Sequence, residues 1–197
     1  GRWDGSWELK DESAKTGNLW THRSTNMSRL LIDINKLSTN FGAEMALMAA
    51  AHHRTKLPVN ESKVTEFLKS CLSSFGLSEK EILLENASGL SRTSRFQPAA
   101  MTKFLSELSE ARFFPEFLSS LSVLGQDGTT KSRLQDYEGQ ARLKTGTLKN
   151  VRALAGYVFP QSGMPMSMAL VLDCDKCDLE RWERLEDQIL KILIKGT

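Results

Sequence analysis

The hydrophobic period of this chain changes in its last third, and that change limits the folds open to it. Up to residue 121 apolar residues recur at three- and four-residue spacing, the mark of helix faces. Beyond 141 they fall into short stretches, one of them strictly alternating. Met27, Leu30, Leu31, Ile34 and Leu37 define a first helix that Ser24-Thr25 can cap, and the pattern breaks at Ser38-Thr39-Asn40. Residues 41–51 read as a second, buried helix. Pro58 interrupts, and Asn60 can cap a third helix with Val64, Phe67, Leu68, Cys71, Leu72 and Phe75 inward. Leu77-Ser78 restarts a short element, and an apolar segment at 82–84 runs into turn chemistry at 86–92. Pro98 suits the first turn of a helix carrying Met101, Phe104, Leu105 and Leu108. A short helical piece at 113–121 then leads to a turn at 125–128.

In the last third, 141–145 and 152–159 read as strands. So does 166–172, where Met166, Met168, Leu170 and Leu172 alternate with Ser167, Ala169 and Val171. Residues 160–163 make a hairpin loop, and a closing helix carries Leu179, Trp182, Leu185, Ile189, Ile192 and Leu193 at helical spacing. Residues 1–24, which hold three of the four tryptophans, read as short strands or irregular connections, with 18–22 the most extended. Helices, then consecutive strands, then a helix predict an α+β fold.

A chain of 197 residues with 40% apolar and 25% charged side chains can bury a sizeable core, as one domain or one and part of another. The 26 basic and 24 acidic residues are well mixed. No basic stripe suggests a nucleic-acid partner. No run approaches the ~20 apolar residues of a membrane span, and the opening Gly1-Arg2-Trp3-Asp4 lacks the apolar region of a signal peptide. Cys174 and Cys177 have the spacing of a redox pair or half a zinc site, but no second such pair or paired-histidine motif accompanies them. They read as a local disulfide or two free thiols. His52-His53 lacks a third ligand at workable spacing and reads as solvated or capping. No metal or cofactor is implied.

Two triplets could carry chemistry: Ser38-Thr39-Asn40 in the helix break, and Lys144-Thr145-Gly146 with Thr147 on the first late strand. Each alone has a plain structural reading, the first as a helix cap and the second as a strand end. Together and in order, 106 residues apart, they match two of the three elements of lysine-assisted serine acyl transferases, S-x-x-K, S-x-N and K-T-G. The residue types suit the task. A hydroxyl beside an ammonium can relay a proton, and an Asn amide can donate to and accept from a peptide. A strand lysine attracts a carboxylate, and a glycine lets a substrate backbone lie close.

The segment 34–41, Ile-Asn-Lys-Leu-Ser-Thr-Asn-Phe, resembles the N-K-x-S-x-N segment of D-Ala-D-Ala carboxypeptidases related to penicillin-binding protein 4. His22-Arg-Ser24 and residues 27–31 resemble its lead-in. Residues 86–92 resemble that family's D-G-S-G-L-S-R, with Asn86 and Ala87 in place of Asp and Gly. Residues 125–129, with Arg133 after them, resemble its G-x-D-G-T turn, and 144–148 with Ala155-Gly-Tyr157 its K-T-G strand and the next. The resemblance spans about 20–160 and implies a transpeptidase-like fold of the penicillin-binding-protein and β-lactamase kind, an antiparallel sheet flanked by helices.

Carried over, Ser38 would relay a proton between the nucleophile and the departing D-alanine, and Asn40 would hold the substrate amide. Lys144 would set the local potential and orient Ser38. Thr145 and Thr147 would bind the terminal carboxylate, the Thr147 backbone N–H would form half of an oxyanion hole, and Gly146 would permit close approach. Peptidoglycan stem peptides and β-lactams would be the partners, outside the cytoplasmic membrane and in the periplasm. No serine here is followed three residues later by lysine. The resemblance therefore implies that residues 1–197 are the C-terminal part of a catalytic domain. Residues 1–24 would lie near the junction with an inserted domain, with the S-x-x-K segment upstream and one sheet edge open. Two other readings stand beside it: a non-catalytic peptidoglycan-binding module of the same fold, and a helical interaction domain whose triplets are coincidence.

Overall fold

The computed structural model describes residues 23–56, 59–175 and 178–196. The extended piece expected at 18–22, Pro58 and Cys177 lie outside them. Helices α1 (Met27–Leu37), α2 (Asn40–Thr55) and α3 (Glu61–Ser74) come first, followed by the short strands β1 (Ile82–Leu83) and β2 (Arg95–Phe96). Helices α4 (Pro98–Ser109) and α5 (Phe114–Ser120) lead to β3 (Ser122–Val123). Single 3-10 turns at Gly128–Thr130 and Gln135–Tyr137 precede β4 (Ala141–Leu148), β5 (Val151–Val158), β6 (Met166–Asp173) and α6 (Leu179–Lys195). The main sheet is antiparallel in the order β3-β4-β5-β6, and β1 and β2 form a separate hairpin.

The antiparallel register places Lys144 opposite Ala155 and Thr147 opposite Arg152. Odd-numbered β4 residues thus share one face and even-numbered ones the other. The odd face, with Ala141 and Leu143, packs with Leu154, Val158 and Met168 against Leu190 and Ile194 of α6. The even face lies toward the helical half, where the buried Tyr157 hydroxyl donates to the Leu105 carbonyl of α4 at 2.7 Å. Burial pushes that phenol up to about 12. Gly156 is required where β5 crosses β4, because a Cβ there would overlap the Arg142 carbonyl oxygen, and its φ of 150° disfavours other residues. A satellite core of Leu77, Ile82 and Ala100, with Phe75 edge-on to Phe104 at 4.9 Å, holds the β1–β2 hairpin to α3 and α4.

Several elements differ from the sequence expectation. The first helix is capped by Asn26, whose Oδ1 accepts from the Arg29 N–H at 3.0 Å, rather than by Ser24-Thr25. Helix α2 starts at Asn40 and is not buried: among its residues Ala51 is in the core, whereas Phe41 is 77% exposed. Its alanine-rich composition favours helix but does not say what covers the helix. Strand β3 was not anticipated, since Ser122 is polar yet fully buried. Strand β4 runs to Leu148 because β5 pairs with it as far as a two-residue turn at Lys149-Asn150, with Asn150 left-handed. Cys174 is disulfide-bonded, and Cys71 is a free thiol on α3.

The closing helix is turned slightly from the expected face, with Trp182, Ile189 and Leu193 half-buried at its flank. Leu185 and Ile192 are exposed, and the buried stripe is Glu186, Leu190 and Ile194. Glu186 concealed that stripe because charged residues are seldom fully buried unless paired. Its Oε2 forms an ion pair with Arg133 at 3.1 Å and accepts from Arg152 at 3.3 Å, and both guanidiniums reach further carboxylates, Asp187 at 2.6 Å and Glu183 at 2.7 Å. Burial opposes the Arg152 charge, but Glu186 and Glu183 outweigh it and hold its pKa above the usual value. Removing one member of such a cluster leaves the others charged and under-paired. We predict that Glu186→Ala lowers the unfolding free energy of the full-length protein by about 3–5 kcal/mol, measured by urea unfolding. A loss under about 1 kcal/mol, the size of an exposed pair, would mean that Asp187 and Glu183 suffice for both arginines.

Candidate active site

Helix α1 ends and α2 begins within two residues, and the corner is made by Ser38. It takes a left-handed conformation, φ 56° and ψ 48°, and its N–H closes the last turn of α1 on the Ile34 carbonyl. Glycine or asparagine is usual at such a C-cap, since a Cβ there costs about 1–2 kcal/mol. This corner presents the Ser38 hydroxyl to the sheet, where Lys144 Nζ donates to Ser38 Oγ at 2.8 Å and to its neighbour Thr145 O at 2.8 Å. The S-x-N corner and the K-T-G strand therefore touch directly, and the seam between them is the candidate groove. Burial in that groove holds the Lys144 ammonium below its ordinary pKa.

The other expected site residues surround this contact. Asn40 opens α2 with its side chain exposed. Gly146 and Thr147 are exposed on β4, toward the end of the strand. A Cβ on Gly146 would meet the Ala153 Cβ at 3.5 Å, an ordinary contact, so the fold itself does not demand glycine there. Thr145 is half-buried, and its hydroxyl donates to Thr129 Oγ1 at 2.8 Å.

That last contact belongs to a set of residues to which the sequence reading assigned no role. Lys36 on α1 pairs with Asp127 at 2.5 Å, and Asp127 also accepts from the Val123 N–H at 2.8 Å. Asn35 donates to Ser120 Oγ at 2.7 Å, and the Thr129 N–H donates to Ser122 Oγ at 3.2 Å. Gly128 has φ 58°, and a Cβ there would overlap Ser122 Oγ and come within 3.0 Å of the Lys36 carbonyl. The turn at 125–130 is thus wedged between α1 and β4 and sets their spacing. Its segments were visible as the N-K and G-x-D-G-T matches, but no pattern within either one says that they touch.

The sequence model of the D-Ala-D-Ala carboxypeptidase 3 (S13) family matches residues 1–193. A D-alanyl-D-alanine carboxypeptidase of Actinomadura sp. (strain R39) is 28% identical over 144 residues, which cover 70% of this chain and 27% of that protein. Among solved structures, penicillin-binding protein 4 (dacB) of Haemophilus influenzae in complex with a β-lactam superposes with a TM-score of 0.74 at 25% identity. The match covers 85% of this chain and 41% of that one. The TLA-3 extended-spectrum β-lactamase superposes at 0.60 with 16% identity, covering 85% of this chain and 62% of that one, which extends the likeness in fold alone. The chain spans less than a third of the length of the curated relatives it matches.

The left-handed serine allows a separation of stability from chemistry. Ser38→Gly relieves the backbone while deleting the hydroxyl, so the full-length protein should keep its folding free energy within about 1 kcal/mol of the parent. Ser38→Ala keeps the strain and loses the hydrogen bond, and should be the less stable of the two. Thermal unfolding of both variants checks this, and the reverse order would show that the corner does not strain Ser38.

Proposed function

The chain belongs to the D-Ala-D-Ala carboxypeptidase 3 (S13) family, and from that premise we propose that it supplies the S-x-N and K-T-G side of a serine acyl-transfer site. The site would act on the D-Ala-D-Ala end or cross-link of peptidoglycan stem peptides and would be acylated by penicillins. The observation that carries this reading is the 2.8 Å contact between Lys144 Nζ and Ser38 Oγ. The nucleophile would come from an S-x-x-K segment upstream of residue 1, in a part of the protein that lies outside the cytoplasmic membrane, in the periplasm.

In this scheme the upstream serine oxygen attacks the penultimate carbonyl, the C–N bond breaks, and the proton passes through Ser38 to the departing amine. Water then cleaves the ester. Lys144 keeps a positive charge beside the Ser38 oxygen and draws the substrate carboxylate, which Thr145 and Thr147 bind. Asn40 holds the substrate amide. The Thr147 N–H is one of two donors to the carbonyl oxygen as it becomes negative. The space left beside Gly146, which the protein itself does not fill, supports its reading as the place where the substrate backbone lies.

Lys144→Ala in the full-length protein should slow acylation by labelled penicillin about a hundredfold or more, and residues 1–197 alone should form no stable adduct. An adduct on Ser38 of the isolated piece would overturn the proposal. The lowered pKa gives a pH test. Lys144 loses its proton at a lower pH than a solvated lysine, so its cation disappears earlier as pH rises. The acylation rate should therefore fall along an alkaline limb beginning below the ordinary lysine range. Lys144→Arg, whose charge does not titrate there, should retain part of the rate and move the limb upward; an unmoved limb would assign the titration to another group.

A further inference from the structure

The loop at 84–94, which closes the β1–β2 hairpin, is attached to both sides of the groove. At one end the Glu44 carboxylate of α2 accepts from the Ser88 N–H at 2.9 Å and the Ala87 N–H at 3.3 Å. At the other, Arg92 Nη1 donates to the Lys149 carbonyl in the β4–β5 turn at 2.8 Å. The loop is also stiffened from within. The Gly89 N–H donates to Asn86 Oδ1, Ser91 donates to Glu85 at 2.7 Å, and the Glu85 N–H donates to Ser94 Oγ. Glu44 lies four residues after Asn40, on the same helix face, and Lys149 follows Thr147 by two residues. The loop therefore spans the groove mouth beside the residues read above as binding substrate.

We infer that Glu44 is a positioning residue that fixes the 84–94 loop as a third wall of the groove, so that its loss weakens substrate binding and leaves the chemical step nearly unchanged. This inference rests on the acyl-transfer reading and deepens it. The separation follows from the two sets of contacts. The Lys144–Ser38 pair is aligned by the turn at 125–130, through Lys36–Asp127 and Thr129–Thr145, and none of those contacts involves Glu44. The loop is held to α2 by the two backbone donors on Glu44. These donors and the Ser88 hydroxyl outweigh burial, the largest single influence, and hold the Glu44 pKa below its usual value.

The test uses the full-length protein with a D-Ala-D-Ala-terminated peptide. Losing a charge-assisted hydrogen-bond pair should raise KM about tenfold in Glu44→Ala, with kcat within about threefold and the Ala87 and Ser88 amides exchanging faster with deuterium. Glu44→Gln, which keeps an acceptor oxygen and the side-chain volume, should recover most of the KM and the exchange protection. It also serves if the alanine variant folds poorly. A fall in kcat at unchanged KM, or amide exchange unaltered in Glu44→Ala, would overturn the inference. Labelled penicillin separates this outcome from the parent reading. If the parent protein is acylated and Lys144→Ala is not, acyl transfer stands whatever Glu44 does. If the parent is never acylated, the acyl-transfer reading itself fails.

Discussion

The arrangement of the groove depends on a turn of six residues at 125–130. Lys36 and Asn35, next to the S-x-N corner, are bound to Asp127 and to Ser120, and Thr129 of the same turn is bound to Thr145 of the K-T-G strand. A lysine amine and a serine hydroxyl placed on separate elements 106 residues apart meet at 2.8 Å only if those elements are held at a fixed separation. The ion pair is only partly exposed, with 17% of the Lys36 side chain and 39% of the Asp127 side chain accessible. Solvent screens it less than a surface pair, and Asp127 is further fixed by the Val123 N–H. Gly128 lets this wedge close, since no other residue leaves room for both Ser122 and the Lys36 carbonyl.

The sequence made the architecture legible where burial follows period and obscured it where burial does not. The strictly alternating stretch at 166–172 became β6, and the K-T-G strand and its partner lie where their apolar residues put them. The closing helix follows from its period, but only part of its inward face does, because a glutamate sits in the buried stripe and is paired with Arg133 and Arg152 from distant segments. Helix α2 follows from its helix-forming residues, but its exposure does not. An apolar run of Phe41, Met45 and alanines looks the same in sequence whether or not another part of the protein covers it. Strand β3 was missed because two residues carry no period at all.

The candidate site was legible in part for a similar reason. Ser38, Asn40 and Lys144–Thr147 can be read from motifs because the proposed acyl transfer dictates residue type. Lys36, Asp127, Thr129 and Glu44 are of common types, and no pattern marks them as partners of distant segments. Only the fold reveals that the Lys36 amine reaches the turn at 127, or that the Glu44 carboxylate meets two backbone donors at 87 and 88. Even the resemblance, which matched every one of the segments carrying the turn and the loop, said nothing of contacts between them.

Beside the packing of α4 on the sheet, two attachments of different kind tie α1 and α2 to β4. One is a polar wedge near the Ser38 hydroxyl, partly screened from solvent and built on a glycine that admits no side chain. The other is an exposed loop at the groove mouth, anchored by a single carboxylate on one side and a single guanidinium on the other. The first tolerates little change, because an added methyl group at Gly128 must displace α1 or β3. The second leaves open space around Gly89 at its tip, although that residue's φ of 75° still disfavours a side chain. The rigid attachment is the one beside Ser38 and Lys144, and the exposed one reaches the β4–β5 turn.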